Sequence, residues 1–163
     1  MGSHASADAA SILDSVRRLV RFLREAASET RKRTGLSAAQ LFLLQHLDAA
    51  GGTLTPGELS RRTLTHQSSI STVARRLLAA GLVSRARSSA DRRRVALSLT
   101  RSGRKIARRG PAVVQDRLIA AVDQLPAVQR GKLARGLLRL IWQLGIAGAP
   151  PPMMFEDGAR NAE

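Results

Sequence analysis

From Asp8 to about Thr34 the apolar positions Ile12, Val16, Leu19, Val20, Leu23, Ala26 and Ala27 recur at helical spacing, with Arg17, Arg18, Arg21, Arg24 and Glu25 on the other side. This pattern predicts one long amphipathic helix, ended by Gly35 where a left-handed cap is needed. Ser37-Ala38-Ala39-Gln40 reads as a capping box opening a second helix. That helix turns Leu41, Leu44 and Leu47 inward and stops at Gly51-Gly52. Thr55-Pro56-Gly57-Glu58 is a second capping box, with proline at the first helical position, where its missing N–H costs nothing. The short helix it opens is anchored by Leu59 and ends near Thr63. Thr65 is expected to cap the next helix, which runs to Ala80 with Gly81 as its stop and Ile70, Val73, Ala74, Leu77 and Leu78 as its buried stripe.

The pattern then changes period. From Leu82 to Gly103 (LVSRARSSADRRRVALSLTRSG) two short apolar alternations flank an arginine-rich turn, which predicts a β-hairpin with a cationic tip. Val95, Leu97 and Leu99 alternate in its returning strand. A helix starts at Thr100 and runs into Ile106, and Gly110-Pro111 should kink or interrupt it before Val114, Leu118, Ala121 and Leu125. Pro126 opens a last helix through Leu133, Leu137, Leu140, Ile141 and Leu144, with Trp142 in the same stripe for core or interface packing. Beyond Gly145 the segment AGAPPPMMFEDGARNAE reads as a flexible tail. A helix with a Ser/Thr/Arg face followed directly by a basic hairpin is the layout of a winged helix-turn-helix, and it points to DNA.

Charge strengthens that reading. Lys and Arg number 27 against 12 Asp and Glu, a formal net charge of +15, and only Lys32, Lys105 and Lys132 are lysines. Such a field favours polyanionic partners, although the arginine bias is equally a mark of a GC-rich genome. Aromatics make up 2% of the chain, so the core must be aliphatic. The absence of cysteine excludes disulfides, thiolate metal sites and thiol redox sensing. No apolar run is long enough to span a bilayer, and the start lacks a signal peptide's apolar region, so a cytoplasmic location is expected. Met1-Gly2-Ser3-His4 resembles an expression-tag remnant as much as native sequence, and His4 is given no role.

The candidate DNA-contacting residues fall in two groups. Ser68, Thr72 and Arg75 lie opposite the buried stripe of the helix after Thr65, flanked by Ser69, Ser71 and Arg76, with His66 in its first turn. Hydroxyls bond base edges or phosphates, and an arginine can make two bonds to one guanine. A solvated helix face is the competing reading, but no Asp or Glu occurs from His66 through Arg87, where an ordinary face mixes signs. Arg87, Arg92, Arg93 and Arg94, with Arg85, crowd the hairpin, where the groove or backbone of a duplex offsets their mutual repulsion. Asp91 is the one acid in that cluster and would shape the turn. Phe42 and His46, four residues apart on the same helix side, and Arg21 are candidates for an effector pocket, with plain packing and a solvated face as their alternatives. Scattered histidines make no zinc site. Nor is there a convincing His–carboxylate pairing or a phosphate-binding glycine loop that would suggest an enzyme, and no cofactor is implied.

Taken together, SAAQLFLLQHL, TPGELSRRT, SSISTVARRLLAAGLVSR and ADRRRVALSLTRSGR resemble the MarR family of bacterial transcriptional regulators. The resemblance runs from about Asp8 to Leu144, and Asp91-Arg92-Arg93 followed by Leu99-Thr100-x-x-Gly103 is its most specific element. Arg94 departs from the small residue usual there. The resemblance implies a mainly α fold with a small β-wing: a winged helix-turn-helix domain plus long N- and C-terminal dimerisation helices. The corresponding organisation is a disordered N-terminus at 1–7, a dimerisation helix at 8–34, the DNA-binding domain at 36–103, dimerisation helices at 104–145 and a flexible tail at 146–163. It implies that Asp91 positions a wing arginine. It further implies a homodimer that binds a pseudo-palindromic operator in double-stranded DNA, a repressor released by a small anionic or phenolic effector. That protein would be cytoplasmic and nucleoid-associated when bound. A sequence-tolerant architectural DNA-binding protein without an effector is the alternative, and an RNA-binding protein, lacking aromatic platforms, a more distant one.

Overall fold

The computed structural model describes residues 7–87, 95–148 and 150–156. Its elements run α1 (Ala7–Thr34), α2 (Ala38–Ala50), α3 (Pro56–Thr63), α4 (Gln67–Ala79), β1 (Val83–Arg87), β2 (Val95–Leu99), α5 (Arg101–Arg109), α6 (Val114–Asp123) and α7 (Ala127–Gln143). The fold is therefore mainly helical with one small sheet, as the winged helix-turn-helix reading requires.

Local chemistry sets most of the boundaries. Ser37 Oγ accepts the Gln40 N–H at 3.2 Å while Gln40 Oε1 accepts the Ser37 N–H at 2.9 Å, closing the first capping box. Thr55 and Glu58 close the second in the same reciprocal way. Gly35, Gly51 and Gly81 take φ of +73°, +66° and +66°, so each helix before them ends on a residue that tolerates the left-handed region. Thr100 caps α5 through Gly103 N–H at 3.1 Å. Gly110-Pro111 interrupts rather than kinks: α5 closes at Gly110 and α6 starts afresh at Val114.

One cap differs from expectation. His66, not Thr65, is the N-cap residue of α4, and it supplies no side-chain bond. Thr65 is engaged with the preceding turn, its hydroxyl donating to the Thr63 carbonyl at 3.0 Å and its carbonyl accepting from Ser60 Oγ. Leu64, at φ +52°, forms the sharp corner between α3 and α4.

The core is centred on α2. Leu41, Phe42, Leu43, Leu44 and Leu47 are all buried, together with Leu59, Ile70, Val73, Leu77, Leu97 and Val113. Burial around so much of one helix places α2 in the middle, between α3–α4 on one side and α5 on another. Gln45 stitches it to the α5–α6 junction, its Nε2 donating to the carbonyls of Ala107 at 3.2 Å and Pro111 at 3.0 Å.

The hairpin strands pair antiparallel from Val83↔Leu99 to Arg87↔Val95. Leu54 adds a third short rung by exchanging both backbone bonds with Leu97, at 3.1 and 2.8 Å. The alternation predicted for Val95, Leu97 and Leu99 is only partly kept. Val95 is exposed, whereas Ala96 and Leu97 are both buried.

The outer helices contrast with this core. α7 has no buried residue, and Trp142 is 73% exposed. Along α1, Ile12, Leu13, Val16, Leu19 and Val20 are likewise exposed. The C-terminal segment departs from the expected flexible tail: residues 150–156 fold back on the winged-helix domain, with Met153 buried in the core cluster. Apolar Met153 and Phe155 gain more from packing there than from water.

Candidate nucleic-acid interface

α4 is held by Ile70, Val73, Ala74 and Leu77, which are buried on one side. At 100° per residue this turns Ser68, Thr72 and Arg75 outward. Ser68 and Arg75 are exposed and Thr72 is half-buried. Thr72 Oγ1 donates to the Ser68 carbonyl at 3.2 Å, and Ser71 Oγ to the Gln67 carbonyl at 2.9 Å. With their protons spent on the helix's own carbonyls, these hydroxyls offer acceptor lone pairs outward, suited to the amino groups of adenine or cytosine. Arg75 reaches back towards Thr72, with Nη2 3.5 Å from Oγ1, so a donor fork and a hydroxyl stand side by side.

The remaining candidates separate. His66 is exposed at the positive end of α4, the end of a helix that attracts phosphate. Ser69 does not share the outward face. It is buried, and its Oγ donates to the Pro151 carbonyl at 3.2 Å. Arg76 is exposed at the flank, with Nη1 donating to the Glu156 carbonyl at 2.7 Å. Arg87 ends β1, opposite Val95. Arg92, Arg93, Arg94 and Asp91 lie outside the described residues.

The three effector candidates do not converge on a cavity. Phe42 is wholly buried, packed edge-on against His46 with ring centroids 4.4 Å apart. His46 Nε2 lies 3.3 Å from Asp116 Oδ1, a contact that ties α2 to α6. Arg21 is exposed on α1 and paired with Glu25 at 2.8 Å, which raises the pKa of its guanidinium through that bond and the carboxylate's charge. It shares an open depression of about 340 Å³ with Asp14, Arg17 and Arg18, all from one helix. Two further contacts, one from α2 to the α5–α6 junction and one between α1 and α6, were not legible in the sequence. They are Gln45 on the α5–α6 junction and Arg117, whose guanidinium stands 4.8 Å over the Phe22 ring.

Among the described residues no three His, Cys, Asp or Glu side chains cluster to hold a metal, and no helix is long and apolar enough to cross a membrane.

Residues 34–94 match the model of the MarR family. No curated protein matches the chain. Several solved structures share its fold. The reduced form of MarR from E. coli aligns with a TM-score of 0.52 at 23% identity, covering 76% of this chain and 94% of its own. The S. aureus MepR–DNA complex aligns at 0.53 and 20%, covering 81% and 97%. The transcriptional regulator BldR from Sulfolobus solfataricus aligns at 0.52 and 22%, covering 88% and 99%. Residues 34–94 are thus similar to the MarR family, and the described fold is the one these solved regulators share.

Proposed function

We propose that this protein is a transcriptional regulator of the MarR type, a homodimeric repressor whose α4 helices each read one half of a pseudo-palindromic operator. The observation that carries the reading is the outward face of α4: Ser68, Thr72 and Arg75 point away from the core with no acidic residue on the helix, and a basic hairpin follows directly. A helix of this kind fits the major groove, and the hairpin arginines would add phosphate contacts beside it. The S. aureus MepR structure is a complex with DNA, which supports the same role for this fold.

Dimerisation follows from what the single chain leaves uncovered. Leu133, Leu137 and Leu140 on α7, and Ile12, Val16 and Leu19 on α1, are between 41% and 53% exposed. Exposed apolar rows on two helices of one chain are the signature of an interface, and twofold pairing would space the two α4 helices for a palindrome. Release by a small anionic or phenolic effector would follow if the ligand favours a dimer geometry that cannot seat both helices. Such a protein acts in the cytoplasm, on the nucleoid.

The test is fluorescence anisotropy on the DNA flanking its own gene and on a scrambled duplex, across a salt series. An operator reader prefers the first by on the order of a thousandfold or more. Its log affinity should fall with log salt at a slope near minus the number of phosphates neutralised, roughly six to ten. Equal binding to both duplexes, collapsing together as salt rises, would instead mark a sequence-tolerant architectural protein.

A further inference from the structure

We propose that residues 150–156 form an autoinhibitory strap, which must leave α4 before that helix can enter DNA; the inference rests on the assignment of α4 as the recognition helix. After α7 the chain turns at Gly145 (φ +69°) and returns to α4. It is held there at two points: Ser69 Oγ donates to the Pro151 carbonyl at 3.2 Å, and Arg76 Nη1 donates to the Glu156 carbonyl at 2.7 Å. Ser69 and Arg76 are seven residues apart, so the strap follows about 10 Å of the same helix flank. Between the two points Met153, 3% exposed, joins the apolar core. A turn locks the segment into shape: Glu156 N–H donates to the Met153 carbonyl at 3.1 Å, and Met153 N–H donates to Glu156 Oε2 at 3.2 Å.

The obstruction is one of width. The major groove is about 12 Å across and a helix with its side chains about 10–12 Å, so the groove admits one helix and little else. A second backbone alongside adds close to 5 Å, the spacing of adjacent chains. Helix and strap together do not fit. The closed strap also engages Arg76, an exposed cation of α4, through a carbonyl. DNA and strap therefore compete, and the apparent dissociation constant exceeds the intrinsic one by the reciprocal of the open fraction. A strap closed about 90% of the time weakens binding about tenfold.

Two variants test this, a chain ending at Gly148 and full-length Met153→Ser, each titrated by anisotropy with the flanking DNA and the scrambled duplex. Both should bind both duplexes about tenfold more tightly than the full chain, with the preference between duplexes unchanged. Hydrogen exchange of Met153→Ser without DNA should show faster exchange at the amides of 153–156 while α2 stays protected. The truncation also removes three carboxylates and Arg160. Tightening by truncation alone would therefore be a charge effect and would overturn the strap, because Met153→Ser changes no charge. Unchanged or weaker binding by both variants, or no binding by any form, would overturn it as well, making the segment a brace for α4. Equal affinity for the two duplexes would count against operator reading alone, since the ratio between variants is still measured on either duplex.

Discussion

Gly103→Ala isolates the contact that sets the start of α5 against the hairpin. A Cβ built on Gly103 would lie 2.0 Å from the Leu82 carbonyl oxygen and 2.9 Å from its carbon, both backbone atoms that cannot rotate aside. Carbon and oxygen do not approach closer than about 3.3 Å even in favourable C–H···O contacts, so α5 must retreat by more than an ångström. That same Leu82 oxygen accepts from the Thr100 N–H and from Thr100 Oγ1, each at 3.1 Å, and Oγ1 also reaches the Gly81 carbonyl at 2.9 Å. The retreat breaks two or three hydrogen bonds worth about 1 kcal/mol each. Against this, alanine gains about 1 kcal/mol over glycine in a helix, leaving a net loss of about 1–2 kcal/mol. For a chain of this size the melting temperature should fall by about 2–8 °C at fixed protein concentration. The matched control is Gly57→Ala in α3, where the new Cβ meets only Gln67 Oε1 at 3.8 Å, an ordinary contact. It should stabilise by about 0.5–1 kcal/mol. Urea unfolding of the three proteins reads both signs together. If Gly103→Ala matched the parent, or rose with Gly57→Ala, the argument from the Leu82 carbonyl would be wrong.

Arg75→Ala should weaken binding to the preferred duplex by about tenfold or more while costing less on a scrambled one, read by anisotropy; a uniform loss would make Arg75 a phosphate contact. Leu137→Asp places a charge in the exposed row of α7, and sedimentation velocity should show monomers with the helical circular dichroism of the winged domain retained. The Thr55 backbone N–H, then its hydroxyl, hold the Glu58 carboxyl below its usual pKa. A depressed pKa contributes stability that is present above the unfolded value, near 4.3, and lost as pH falls through the lowered folded value. Urea midpoints measured from pH 7 to 3 should therefore decline less steeply for Glu58→Gln than for the parent in the acid range.

Helix ends were legible because their causes lie within four residues. Ser37 and Gln40, Thr55 and Glu58, Thr100 and Gly103 each complete their bonds inside one turn, and Gly35, Gly51 and Gly81 need only their own φ. The exception, Thr65, obeys the same rule from the other direction: its side chain had two local offers and took the Thr63 carbonyl. The outward side of α4 was legible too, because the apolar stripe fixes which way a helix must turn.

What the chain's order alone determined is thus what neighbours in sequence set: the elements, most of their caps and which side of each helix is apolar. What only the tertiary structure decided are meetings between distant residues. Leu54 joins the sheet through Leu97, so the strand's burial no longer follows simple alternation. Gln45 finds carbonyls more than sixty residues away, and Ser69 leaves the outward face because Pro151, eighty-two residues on, covers it. The reason is physical: periodicity and capping are local free energies. Which apolar surfaces cover one another depends on the whole chain's search for buried area, and no window of a few residues contains it.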